Sequence, residues 1–181
     1  ELISKLEGLE RRMQRDGMGY AMPRLMSASD QAKVWNVRKA GLGLMMNIPG
    51  DAKPLAFVED TAVAPEKLPQ FVMRFDEIVK AHGTEAGYYG HASVGCLHIR
   101  PLIDIKKPDG VDRMVAIAEE ISDLVLEYGG SLSGEHGDGL VRSPFNEKMF
   151  GGQLYQAFRD VKKAFDLSGN SATGQSILAG L

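Results

Sequence analysis

The chain is poor in several residue types that mark particular classes of protein. Its 181 residues include one cysteine, Cys96, so no disulfide can form within the chain. No apolar run approaches the roughly 20 residues that cross a bilayer, and no signal-peptide pattern opens the sequence. The formal net charge of −3 gives no reason to expect nucleic acid or an anionic membrane as a partner. These absences favour a cytoplasmic protein without a membrane span.

The bulk composition is that of a globular domain with a real core. Hydrophobic residues make up 44% of the chain and charged residues 25%, the balance expected for one folded domain. The first residue is Glu1 rather than methionine, and we expect the chain to be a piece excised from a longer protein. We assign residues 1–166 to the domain and predict a flexible tail over 167–181, which is rich in Ser, Gly and Ala.

Apolar periodicity predicts an α+β fold. Helices are expected over 2–15, from Ser27–Asp30 to Met45, over 65–81 and 109–128, and over 145–166 with a break at Gly151–Gly152. Strands are expected over 54–58, 85–91, 95–105 and 131–133. Residues 53–133 then follow the order β-α-β-β-α-β. This order predicts a ferredoxin-like (split βαβ) antiparallel sheet with two helices on one face and further helices flanking it.

Two short glycine-flanked stretches carry most of the chemistry. The first contains His91 and His98 in the segment GHASVGCLH, and the second contains Glu135 and His136 in the segment SGEHGDG. A tight turn after the strand that ends at His91 would bring His91 and His98 together across a hairpin, and Glu135 could supply a third ligand. Two imidazoles and a carboxylate suit zinc, manganese or iron and leave open positions for a substrate.

The same residues could also have ordinary structural roles without binding a metal. Histidines are usually surface or satisfied core residues, and His82 is such a case because it falls in the last turn of a helix. Glu135 and His136 could belong to an ordinary polar loop. Cys96 shares a strand face with His98, so a thiolate ligand is a minor alternative.

The two stretches also resemble a known family. Residues 89–101 (YGHASVGCLHIRP) and 129–142 (GGSLSGEHGDGLVR) closely resemble the C-terminal domain of FAD-linked oxidases, which include D-2-hydroxyglutarate dehydrogenase, D-lactate dehydrogenase and the glycolate oxidase flavin subunit. The segments WNVRKAGLGL, FVEDTAV and RSPFNE look most like the large bacterial members, which are fused to an iron–sulfur domain. The resemblance runs from about residue 20 to residue 166.

The resemblance implies a function and a set of roles. His91, His98 and Glu135 would bind a divalent metal, His136 would be the base, and Arg38 would bind the substrate carboxylate. The full-length protein would oxidise a small D-2-hydroxy acid to the 2-oxo acid and pass the hydride to FAD held by another domain of the same polypeptide. The present chain has no G-x-G-x-x-G or P-loop motif, so we expect it to hold no FAD and to be inactive alone.

The chain departs from the family pattern at three places, and the last two leave the identity of the substrate open. The usual GDGN is replaced by Ser93-Val94-Gly95-Cys96, the family's threonine is Leu42, and its substrate lysine has no counterpart at Val58. Two other functions therefore stand beside the dehydrogenase at this stage. One is a non-catalytic ferredoxin-like binding module, and the other is a stand-alone metal-dependent hydrolase that uses His91, His98 and Glu135.

Overall fold

The structure, a computed structural model, describes residues 1–166 and divides into two compact units. The first unit is Glu1–Leu44, and the second begins at Met45. The first unit contains helix α1 (Leu2–Arg15) and most of helix α2 (Ala28–Met46). The backbone N–H of Asp30 donates a 3.1 Å hydrogen bond to Ser27 Oγ, which caps α2 where the sequence predicted its start.

The second unit holds the sheet and the remaining helices. Its strands are β1 (Lys53–Pro54), β2 (Thr61–Ala62), β3 (Ala86–His91) and β4 (Cys96–Ile103). Its helices are α3 (Leu68–Ala81), α4 (Gly110–Glu127), α5 (Gly139–Arg142) and α6 (Asn146–Phe165), with short 3₁₀ turns at Pro65–Lys67, Ala92–Val94 and Ser143–Phe145. The predicted α+β class is confirmed.

All strand pairs in the sheet are antiparallel, and β4 is the strand that the others share. β3 pairs along one edge of β4, while β1 and β2 pair with the two ends of its other edge. On the side of β2 that faces away from β4, Ala62 of β2 forms a single bridge with Ser131. The expected strand over 131–133 is therefore reduced to one bridged residue, because the chain turns away at once to form the loop that carries Glu135.

The expected continuous strand over 54–58 is wrong, because the chain bulges between β1 and β2. Pro54 is opposite Leu102 and Thr61 is opposite Leu97, so six residues (55–60) span the same length of sheet as four residues of β4. The two ends of the bulge stay bonded to β4, since the N–H groups of Leu55 and Asp60 donate to Pro101 and Leu97. The extra length moves Glu59 and Asp60 out of regular strand geometry.

The two faces of β4 have different roles. Ile99 and Ile103 point into the hydrophobic core, where they join apolar side chains of α3 and α4: Phe71, Phe75, Val79, Ile117, Ile121 and Val125. Alternation along the strand sends Cys96, His98 and Arg100 to the opposite face. The core therefore supports the sheet from one side, and the polar side chains collect on the other.

The remaining helix predictions hold, with one omission. α6 is broken at Gly151, which has φ 76° and ψ 158°, as expected from the Gly151–Gly152 pair. The four-residue α5 was not expected, because a single turn leaves no periodic pattern in the sequence. No helix in residues 1–166 has the length and apolar character needed to cross a membrane. The predicted tail, 167–181, lies outside the described residues.

Candidate functional site

The β3–β4 hairpin brings two histidines together. His91 pairs with Cys96 and Tyr89 pairs with His98, so the two histidines are diagonal neighbours across the hairpin, with ring centroids 5.6 Å apart. Gly95 makes the tight turn possible: its φ is +74°, and a Cβ at this position would lie 1.8 Å from the Val63 carbonyl oxygen. The short connection therefore fixes the spacing of the two imidazoles.

Glu135 reaches the same place from the loop after Ser131. Its Oε1 lies 3.7 Å from His91 Nε2 and its Oε2 lies 3.8 Å from His98 Nε2. The His98 side chain is 6% exposed, whereas those of His91 and Glu135 are 44% and 41% exposed. The three groups thus form a small polar cluster with a buried back and an accessible front.

Asp60 holds the loop that carries Glu135. Its Oδ2 accepts hydrogen bonds from the backbone N–H of Glu135 (2.8 Å), from the backbone N–H of His136 (2.7 Å) and from Ser133 Oγ (3.0 Å). Its backbone carbonyl accepts a further 2.7 Å bond from Gly134. Asp60 is completely buried and has a positive φ of 76°. The Asp60 carboxylate therefore fixes the position of Ser133, Glu135 and His136, which lie more than 70 residues after it in the sequence.

The surroundings set the charge state of Asp60. Burial alone would raise its pKa, but hydrogen bonds from His136, Glu135, Cys96 and Ser133 outweigh burial and lower the pKa to about 2. Asp60 is therefore a fixed negative charge across the physiological range.

Two neighbours of Asp60 are held in their neutral forms. Burial, followed by the proximity of His136, lowers the pKa of His98, which favours the neutral imidazole that a metal requires. Burial and the contact with Asp60 raise the pKa of Cys96 to about 12. The thiolate is thus disfavoured, although Cys96, Asp60 and Glu135 also lie close enough together to form a ligand group.

His136 stands beside the cluster. Its ring stacks on His98, with centroids 5.0 Å apart and planes 4° from parallel. Its Nδ1 faces two carboxylates, at 3.4 Å from Glu59 Oε1 and 3.9 Å from Asp60 Oδ2. The side chain is 45% exposed. A half-exposed imidazole beside a cluster of ligand atoms is well placed to accept a proton from a bound molecule.

A second buried layer supports His136. The Glu59 carboxylate, which is 8% exposed, pairs with Arg100 through a 2.6 Å contact between Glu59 Oε2 and Arg100 Nε. Arg142 is also buried, and it donates to the carbonyl oxygens of Glu59 (3.0 Å) and Gly137 (2.6 Å). These bonds fasten the bulge to the loop that carries His136.

The residues singled out in the sequence fall into two groups. His91, His98, Glu135 and His136 come together in the second unit. Arg38 lies on the exposed surface of α2 in the first unit, and its role as a carboxylate ligand stays a prediction. Sequence reasoning missed Glu59, Asp60, Arg100 and Arg142, although Glu59 and Asp60 fall in the FVEDTAV segment that carried part of the resemblance.

Comparison with known proteins shows the family to which the chain belongs. Residues 2–169 match the family described as FAD linked oxidases, C-terminal domain. The chain is 37% identical to D-2-hydroxyglutarate dehydrogenase of Pantoea ananatis over 166 residues, which are 92% of this chain and 16% of that protein. It is 35% identical to D-2-hydroxyglutarate dehydrogenase of Escherichia coli over 91% of this chain and 16% of that protein.

A more distant relative has a different name. The glycolate oxidase subunit GlcD of Bacillus subtilis is 30% identical over 63% of this chain and 24% of that protein. The chain thus spans about a sixth of the length of the dehydrogenases that it matches over most of its own length. The family match covers nearly all of the described residues and both stretches that form the site, and the chain belongs to the C-terminal domain family of FAD-linked oxidases.

Proposed function

We propose that this chain is the substrate- and metal-binding domain of an FAD-dependent dehydrogenase or oxidase that converts a small D-2-hydroxy acid to the 2-oxo acid. The observation that carries the proposal is the convergence of His91, His98 and Glu135 beside His136. The family match and the names of the relatives support the same activity. Because the chain spans only about a sixth of the dehydrogenases that it matches, the activity is proposed for the full-length protein.

The donor atoms fit a divalent metal. Ligand atoms of a tetrahedral zinc site, with bonds of about 2.1 Å, lie about 3.4 Å from one another. The separations of 3.7 and 3.8 Å from Glu135 to the two imidazoles are close to this spacing. The buried Nδ1 of His98 has no hydrogen-bond partner within residues 1–166, and its nearest carboxylate oxygen is Asp60 Oδ1 at 4.0 Å. A carboxylate behind a ligating imidazole is the usual support for such a ligand. We therefore assign zinc, manganese or iron to His91, His98 and Glu135.

His136 is assigned as the general base. When bound, the metal would lower the pKa of a coordinated substrate hydroxyl, and FAD would supply the acceptor for the hydride that leaves C2. The chain's own part is to remove the hydroxyl proton. His136 suits this part because its ring lies against the ligand His98 and remains accessible from the front of the site. Arg38 is assigned to the substrate carboxylate, for which a guanidinium fork is well shaped.

The choice among glycolate, D-lactate and D-2-hydroxyglutarate rests on the comparisons. The relatives that cover more than nine tenths of this chain at 35–37% identity are D-2-hydroxyglutarate dehydrogenases. We therefore propose D-2-hydroxyglutarate as the first substrate to test.

The wider architecture is proposed on the same basis. The strand order Ser131-β2-β4-β3 supports a ferredoxin-like arrangement of the second unit. An FAD-binding domain of the same polypeptide and an iron–sulfur domain are the expected partners in a cytoplasmic protein. The family name itself supports the first of these.

The experiment uses the full-length flavoprotein with an artificial electron acceptor. We expect turnover of D-2-hydroxyglutarate, and a loss in kcat of about two to four orders of magnitude in His136→Ala. His82→Ala is the matched control. His82 pairs with Glu120 away from the site, so this substitution should leave kcat unchanged. Lack of turnover with all three hydroxy acids, or near-native kcat in His136→Ala, would overturn the proposal.

A further inference from the structure

We propose that Glu59 is a positioning residue that fixes the tautomer of His136. This inference rests on the proposed function, since it names the ring atom of His136 that takes the substrate proton. Glu59 would hold the proton of the neutral imidazole on Nδ1, so that Nε2 is the basic atom.

The position of Glu59 is fixed by its surroundings. It lies in the bulge between β1 and β2, where the two extra residues displace the chain from strand geometry. Its backbone carbonyl is held by the buried Arg142, and its side chain is 8% exposed. The carboxylate therefore has little freedom to move away from His136.

The two carboxylate oxygens of Glu59 face different partners. Oε2 pairs with Arg100 at 2.6 Å, and Oε1 lies 3.4 Å from His136 Nδ1. Arg100 is thus the positive charge beside this buried carboxylate. Within residues 1–166, the 3.4 Å contact between Oε1 and Nδ1 is the shortest ion-pair contact of the His136 ring with a carboxylate.

The contact with Glu59 determines which nitrogen of the His136 ring carries the proton. An ionised carboxylate can only accept a hydrogen bond, so the ring nitrogen that faces it must carry the proton. Asp60 Oδ2 also faces Nδ1, at 3.9 Å, but this oxygen already accepts three shorter hydrogen bonds. Within residues 1–166, no hydrogen bond or ion pair occupies His136 Nε2, which leaves its lone pair available to a substrate.

The test compares Glu59→Gln with Glu59→Asp in the full-length flavoprotein. Glutamine keeps the shape, but its amide can donate to Nδ1 and so favour the opposite tautomer. We expect kcat to fall about 10- to 100-fold, with KM and metal content unchanged. Glu59→Asp, which keeps the carboxylate, should recover part of the loss. Glu66→Gln is the control, because Glu66 is an exposed residue of the first 3₁₀ turn.

A second readout does not depend on turnover. The ¹⁵N shifts of the His136 ring in the 181-residue chain report which nitrogen carries the proton. We expect protonated Nδ1 in the wild type and a shift towards protonated Nε2 in Glu59→Gln. A kcat within about twofold of wild type together with an unchanged tautomer would overturn the inference. Failure of the proposed function looks different, because the wild-type flavoprotein itself would then be inactive while the tautomer still responded to Glu59→Gln.

Discussion

Asp60→Asn should destabilise the second unit in a way that depends on pH. Asp60 is fully buried, and its pKa is lowered from the ordinary value of 3.8 to about 2. That difference corresponds to about 2 kcal/mol of folding free energy. Because the pKa is lowered in the folded state, the contribution is complete well above pH 4 and is lost as the pH falls towards 2. It should therefore be about half as large at pH 3 as at pH 7.

The assay is urea unfolding of the chain, followed by far-UV circular dichroism at several pH values from 7 to 3. A chelator is present throughout, because metal binding would add its own pH dependence. We expect the free energy of unfolding of Asp60→Asn to be lower than wild type by about 2 kcal/mol at pH 7, and the difference to narrow below pH 4. A difference that stayed constant from pH 7 to pH 3, or no difference at pH 7, would refute the reasoning.

A matched control separates this effect from the loss of any carboxylate. Asp51 pairs with Lys106 at 2.5 Å, but its side chain is 59% exposed. Exposed ion pairs contribute little to stability. Asp51→Asn should therefore leave the urea midpoint nearly unchanged at every pH.

Two further predictions concern the hairpin that carries the histidines. Gly95→Ala should lower the free energy of unfolding by about 3 kcal/mol or more, because a Cβ would lie 1.8 Å from the Val63 carbonyl oxygen at a φ of +74°. Gly43→Ala is the control, since Gly43 lies on a helix with open space around it and its substitution should not lower the free energy of unfolding. Urea unfolding of both variants measures the difference. Burial and the contact with Asp60 raise the pKa of Cys96 to about 12. In the folded chain Cys96 should therefore react with iodoacetamide at pH 8 at least about 100-fold more slowly than in the unfolded chain. Mass spectrometry measures the two rates, and equal rates would contradict a buried, protonated thiol.

Local patterns in the sequence were enough to predict the hairpin and most helices. The turn between β3 and β4 depends on a few adjacent residues, and Gly95 marks its tightest point, so the meeting of His91 and His98 follows from short-range geometry. The apolar stripes of α3 and α4 have the regular spacing of a buried helix face. These features are encoded within single segments.

The supporting residues could not be found in this way. The bulge over 55–60 exists only in relation to the register of β4, which lies about 40 residues further along the chain. Glu59 and Asp60, an adjacent pair of acids, have the pattern of an exposed turn, and nothing near them in the sequence shows that they are buried. Their partners, His136 and Arg142, lie more than 70 residues away. Long-range pairing of this kind requires the folded structure.

The most direct test of the central claim is elemental analysis of the full-length flavoprotein beside its His91→Ala/His98→Ala double variant. We expect about one zinc, manganese or iron in the wild type beyond any iron in iron–sulfur clusters, and the loss of that ion in the variant while the flavin content is unchanged. Equal metal content in the two proteins would contradict the assignment of His91, His98 and Glu135 as the metal site.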